Sequence, residues 1–128
     1  MLRRPALLLP TALLVLLPAC SEVRETAGRA GDCAGLIRDV AATGLSGTPS
    51  LDDAEAAVRR LDDRLQEIDD EELAAATRAL RDRLQELVEA ARSADADGAR
   101  AAADDARAAA RETARLCGVP VDQVLGTG

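Results

Sequence analysis

The chain has 128 residues, 16 cationic and 23 acidic side chains, a net charge of −7, and no His, Trp, Tyr or Phe; Lys and Asn are missing as well, so every cation is an arginine. This composition excludes most specialised chemistry, because the commonest general bases and nucleophile activators are absent. The acidic balance repels phosphate, and nucleic-acid binding would need a basic footprint and usually stacking aromatics, neither of which is present.

At this length there is room for one domain. The bias toward Ala, Arg, Asp and Leu is what GC-rich coding produces, and the alternating acids and arginines read as a solvated, ion-paired helical surface.

Met1-Leu2-Arg3-Arg4 supplies a positive start, and Ala6 to Leu17 a short apolar stretch interrupted by Pro10, ending in Ala19 before Cys20. A spanning helix needs about twenty apolar residues, so residues 1–19 read as an export signal. Leu2 and Pro5 around Arg3-Arg4 do not suit a twin-arginine signal, which favours the general secretory route. Leu17-Pro18-Ala19-Cys20 resembles a bacterial lipobox, matching at Leu17, Ala19 and Cys20 and departing at Pro18, where a small or hydroxylated residue is more usual. The resemblance implies cleavage before Cys20, a diacylglyceryl group on its thiol, and residence on the outer face of the cytoplasmic membrane. Acyl chains contribute about 0.8 kcal/mol per buried methylene, and two of them hold a protein where one does not. Loss of Arg3 and Arg4 with the leader takes the charge to −9.

Residues 20–31 are then the lipidated cysteine and a flexible tether without apolar periodicity, and residues 32–118 a helical domain. Asp32 is the expected N-cap of a short helix carrying Cys33, Leu36, Ile37 and Val40, stopped at Gly44. Gly47-Thr48-Pro49 forces a turn. Ser50 is expected to cap a second helix, in which Leu51, Ala54, Val58, Leu61, Leu65 and Ile68 recur at spacings of 3 and 4, a heptad seam of coiled-coil type.

Leu73 falls five positions after Ile68, about 140° off that seam. The phase jump predicts a new helix capped by Asp69, although one unbroken helix from Leu51 to Arg92 is the rival reading. The third helix is expected to bury Leu73, Ala76, Leu80, Leu84, Leu87 and Ala91, flanked by Val88. A polar turn over Ser93 to Gly98 follows, then a fourth helix with Ala99, Ala103, Ala106, Ala110, Ala114 and Cys117 on one face. Gly118 and Pro120 end it, and residues 119–128 form a tail with one short turn at Val121 to Leu125. The expected fold class is all-α, an up-down four-helix bundle of three longer helices and one short N-terminal helix.

If Cys20 carries lipid, Cys33 and Cys117 remain, and outside the cytoplasm two thiols are expected to pair. An even number of helices brings the start of the first and the end of the fourth to one end of the bundle. The alternative is a buried pair of free thiols; no Cys-x-x-Cys motif favours a redox site.

The remaining chemistry is thin. Asp52/Asp53, Asp62/Asp63, Asp69 to Glu72 and Asp104/Asp105 are neighbours in sequence, and adjacent helical residues point about 100° apart. They do not converge on one substrate atom. Carboxylates alone do not build a zinc site, Asp69-Asp70-Glu71-Glu72 lacks the spacing of a calcium loop, and no phosphate cradle is present. No enzyme activity, cofactor or metal is expected.

The lipobox, the Ala/Arg/Asp-rich helical domain and a cysteine near each of its ends together resemble small uncharacterised lipoproteins of high-GC Gram-positive bacteria. The resemblance implies a membrane partner through the lipid on Cys20 and a non-catalytic role in protein interaction or envelope structure. The alternative expectation is a small-ligand or cation carrier with a cavity between its helices.

Overall fold

The computed structural model describes residues 29–125, and their regular structure is helical, with no strand among them. The leader, Cys20, residues 21–28 of the expected tether and residues 126–128 lie outside the described residues. Helix α1 covers residues 29–41, α2 Leu51–Leu65, α3 Glu71–Arg92, α4 Ala96–Leu116 and α5 Val121–Leu125.

Residues 29–31, expected in the tether, are helical, and Asp32 lies inside α1 instead of capping it. The reason is tertiary. The Arg29 guanidinium is held by Asp70, Glu72 and the carbonyl of Leu116, which fixes a turn that Gly31 would not favour on propensity alone. After residue 41 the chain tightens, with the Thr43 N–H donating to Val40 O, and leaves the helix through Gly44 at φ 78°. Only glycine adopts that left-handed conformation without a steric penalty.

Ser50 starts α2 as expected, its Oγ accepting the Asp53 N–H at 3.1 Å. Ala54, Val58 and Leu61 of the seam are buried, together with Ala57. The long segment is two helices, not one. α2 ends at Leu65, Ile68 turns into the core at 8% exposure, and α3 begins at Glu71. The cap is Asp70, whose Oδ1 accepts the Leu73 N–H at 2.8 Å, and not Asp69. Burying Ile68 uses the extra residue before the chain can re-enter a helix.

The expected polar turn over Ser93 to Gly98 is shorter, because Asp95 caps α4 by accepting the Gly98 N–H at 2.9 Å. The end of α3 is a Schellman motif: Asp95 N–H donates to Ala90 O, Ala94 N–H to Ala91 O, and Ala94 takes φ 55°. α4 ends in the same way, with Val119 N–H on Ala114 O, Gly118 N–H on Arg115 O, and Gly118 at φ 66°. Both motifs satisfy carbonyls that the last helical turn leaves open.

Among the described residues α2 packs on α3 and α3 on α4, while α2 and α4 do not pack on each other. Leu61, Leu73, Leu80, Leu84 and Leu87 supply the bulk of the shared core. α4 presents almost only methyl groups to it: Ala102, Ala103, Ala106, Ala110 and Ala114 are buried. Small side chains let a neighbouring helix approach closely, which partly replaces the contact area of larger ones. Thr77 and Thr113 also lie in this interior, their hydroxyls donating to Leu73 O and Ala109 O, as buried polar groups require.

Ala76 and Ala91, expected in the core, are only half-buried, and Ala74 is buried in their place. The C-terminal turn belongs to the domain. Val124 and Leu125 of α5 are buried, α5 packs on α4, and only Val121 is exposed among the large apolar side chains described.

Candidate functional site

The feature with the most defined chemistry is the closure between α1 and the end of α4. Cys33 and Cys117 form a disulfide, with their Cα atoms 5.6 Å apart and a sequence separation of 84. Cys33 lies one turn into the described part of α1 at 7% exposure, and Cys117 is the half-buried C-cap of α4.

Arg29 stands four residues before Cys33, so both occupy the same side of α1. Its Nη2 donates to Leu116 O at 3.4 Å and to Glu72 Oε1 at 3.3 Å, and its Nη1 stands 3.5 Å from Asp70 Oδ2. A cation thus meets the carbonyl end of α4 and the carboxylates that open α3, the favourable sign at both helix termini. Asp69 to Glu72 divide their work here: Asp70 caps, Glu72 binds Arg29, and Asp69 and Glu71 are exposed.

A shallow cleft of about 170 Å³ separates α1 from α2, lined by Asp39, Arg60, Asp63, Arg64 and Glu67. Arg64 Nε and Nη2 both stand 3.0 Å from Asp39 Oδ2, and Nη1 reaches Glu67 at 3.3 Å. Gly35 makes this pair possible, since a Cβ there would fall 2.5 Å from Arg64 Nη1. A second cleft, about 160 Å³, runs between α2 and α3 past Val58, Arg59, Gln85 and Val88, bridged by Glu55 and Arg92 at 3.4 Å. A third, about 180 Å³, lies at the α3–α4 turn among Ala91, Ala94, Asp95, Ala96 and Ala99. Each is smaller than the roughly 300–1,000 Å³ of pockets that enclose a drug-sized ligand.

Asp62 and Asp105 meet arginines of the neighbouring helix α3, at 2.8 Å from Arg81 Nε and 3.9 Å from Arg83, while Asp104 binds Arg107 one turn along α4. A hydrogen bond with Asp82 and the charge of Asp62 raise the Arg81 guanidinium above its usual value. The hydrogen bond from Arg115 holds the Glu112 carboxyl below the usual carboxylate range, and raises Arg115 in return. Among the described residues no three His, Cys, Asp or Glu side chains are grouped to hold a metal ion. No described helix is long and apolar enough to cross a membrane.

Arg107 carries a role that periodicity did not reveal. Its Nη1 donates to Leu45 O at 3.1 Å and Gly47 O at 2.9 Å, tying the loop between α1 and α2 onto α4. That loop also sends Leu45, Thr43 and Pro49 into the interior. The signal available in sequence was a lone leucine between Gly44 and Gly47.

The described residues thus form a small all-helical domain in which α1 and the end of α4 are joined covalently. No family model matches the chain, and no curated protein or solved structure matches it either.

Proposed function

We propose that the chain is an exported lipoprotein, anchored through Cys20 to the outer face of the cytoplasmic membrane, whose helical domain is a non-catalytic interaction or structural module of the cell envelope. The observation that carries the reading is the cysteine arithmetic. The Cys33–Cys117 disulfide accounts for two of the three cysteines, so the domain makes no use of the third, which follows Leu17-Pro18-Ala19. A disulfide also suits an oxidising compartment.

In this reading the helices run up-down-up-down. α1 lies between α2 and α4, bound to the first by Asp39–Arg64 and to the second by the disulfide. The anchored end is then the end that holds Arg29, the disulfide and the start of α3. Nine peptide steps from Cys20 to Arg29 reach at most about 32 Å, which keeps that end near the lipid. The α3–α4 turn lies about 33 Å further out, the length of the 22-residue α3 at 1.5 Å per residue. It is the part of the domain best placed to meet an envelope protein.

The test is fractionation of cells expressing the full chain, with radiolabelled palmitate supplied. Label and membrane retention are expected for the native chain, and both should vanish in Cys20→Ala while the protein appears in the medium. Retention of the variant on membranes sinks the reading.

A further inference from the structure

We propose that the Cys33–Cys117 disulfide is a thiol-sensitive latch: closed, it keeps residues 29–50 docked on α2, α3 and α4, and its reduction by a dithiol releases that segment while the three long helices stay folded.

The two parts of the molecule are built differently. α2, α3 and α4 each have a side-chain N-cap, from Ser50, Asp70 and Asp95, and α3 and α4 end in Schellman motifs. Their large buried residues, Leu61, Leu73, Leu80, Leu84, Leu87 and Val88, are carried by α2 and α3, which pack on each other as α3 does on α4. Residues 29–50 have weaker means of staying in place. α1 contains Gly31 and Gly35, each lowering helix formation about fivefold relative to alanine. The segment commits three large aliphatic side chains fully to the interior, Leu36, Val40 and Leu45.

Its polar attachments lie at the rim. Arg29 is 35% exposed and makes contacts of 3.3–3.5 Å, Arg64 covers Asp39 from one side, and Arg107 holds the loop by two carbonyls. Against these stands a covalent link across 84 positions. Removing such a cross-link multiplies the population of opened chain by about a thousand. The opening is expected first in the segment that depends on this bond and on these rim attachments.

The bond is also reachable. Cys33 is buried, but Cys117 is half-buried, and the neighbouring Gly118 is exposed, with open space where a Cβ would stand. A dithiol thiolate attacks Cys117 Sγ and expels Cys33 as thiolate, which takes up a proton. The second thiol of the reductant then displaces Cys117 from the mixed disulfide. Two electrons and two protons pass to the cysteines, and the reductant leaves as a disulfide. One consequence rests on the anchored reading above. Nine peptide steps separate Cys20 from Arg29, where the docked domain begins to be described, and thirty-one separate it from Leu51, so release extends the maximal reach of the three-helix core from about 32 Å to about 110 Å.

Hydrogen exchange of the mature protein, oxidised and after dithiothreitol, tests the latch. Amides of residues 33–43 are expected to exchange at least about a hundredfold faster when reduced, with those of residues 76–90 and 102–114 changing less than about tenfold. The double variant Cys33→Ser/Cys117→Ser should show the same pattern without reductant, and reoxidation of the native chain should restore protection. A uniform rise through all helices overturns the proposal, because the bond would then be a global staple; unchanged protection at residues 33–43 overturns it as well. Exchange is read in solution whether or not Cys20 is lipidated, so its failure is distinct from failure of the anchoring test.

Discussion

Ala94 occupies a position that glycine fills better, and Ala94→Gly is expected to stabilise the protein. Ala94 holds φ 55° in the Schellman motif that closes α3. For an L-residue the left-handed region costs about 1–2 kcal/mol, and glycine removes that cost while adding about 0.4–1 kcal/mol of unfolded-state freedom. The Ala94 side chain is exposed, so little packing is lost with its methyl group. The net gain is about 0.5–1 kcal/mol, which for a domain of this size raises Tm by about 2–6 °C. The reciprocal substitution is available in the same molecule. Gly118 has φ 66° in the motif that closes α4, and no heavy atom lies within 4 Å of a Cβ built there. Gly118→Ala therefore meets only the backbone penalty and should lose a similar amount. Urea unfolding of the oxidised protein measures both, with unchanged m-values showing that the unfolded reference is the same. A lower midpoint for Ala94→Gly, or shifts of the same sign in both variants, refutes the argument.

Three further outcomes are expected. Gly35→Ala adds helix propensity worth about 1 kcal/mol but drives its Cβ into the Arg64 guanidinium, so stability should stay within about 0.5 kcal/mol of native. The Asp39–Arg64 coupling in a double-mutant cycle should fall by more than half, and an undiminished coupling contradicts the close approach. Arg107→Ala removes two charge-assisted hydrogen bonds from the loop carbonyls, a loss of about 1.5–3 kcal/mol; exchange at the Gly47 amide, which donates to Gly44 O, should rise, and an unaltered rate means the arginine does not hold the loop. Because Arg115 holds the Glu112 carboxyl below its usual value of 4.5, the pair contributes stability above that value and loses it as pH falls through the depressed one. The stability difference between native and Glu112→Gln should therefore shrink as pH is lowered below about 4.5, and a difference that grows there has the wrong sign.

How much could be read in advance depended on side-chain size. Leu61, Leu73, Leu80, Leu84 and Leu87 stand out against their neighbours, and all are buried. The phase jump between Ile68 and Leu73 marked the break between α2 and α3, because five positions cannot lie on one helical face. The cysteine pairing followed from counting and helix parity. Alanine and threonine gave no such contrast. In α4 alanine fills 10 of 21 positions, so Ala102 and the buried Thr113 could not be told from the exposed Ala101 and Ala108. The cap was expected at Asp69, and the burial of Ile68 moves it one residue on, to Asp70. The grip of Arg107 on Leu45 O and Gly47 O joins positions about sixty residues apart, and local pattern carries no trace of such a contact.

The composition and the covalent closure belong to one physical solution. A chain without aromatics lacks the side chains that bury the most area singly, and every buried residue of α4 is alanine or threonine. Close approach of helices recovers part of the lost dispersion, but it does not offset the low helix propensity of Gly31 and Gly35 in α1. A cross-link spanning 84 positions contributes up to about 4.5 kcal/mol, comparable to burying two leucines at about 2 kcal/mol each, and does so without adding volume to an interior already filled with methyl groups. The bond joins Cys33 of α1 to Cys117, the C-cap of α4. Arg29 then adds its charge to the same junction, meeting Leu116 O and the carboxylates that begin α3. In the anchored reading this is also the end that carries any pull from the lipid. Force entering along the chain at residue 29 passes through Cys33 into α4 before it loads the aliphatic contacts of α1, so the core of the domain is shielded for as long as the disulfide is closed.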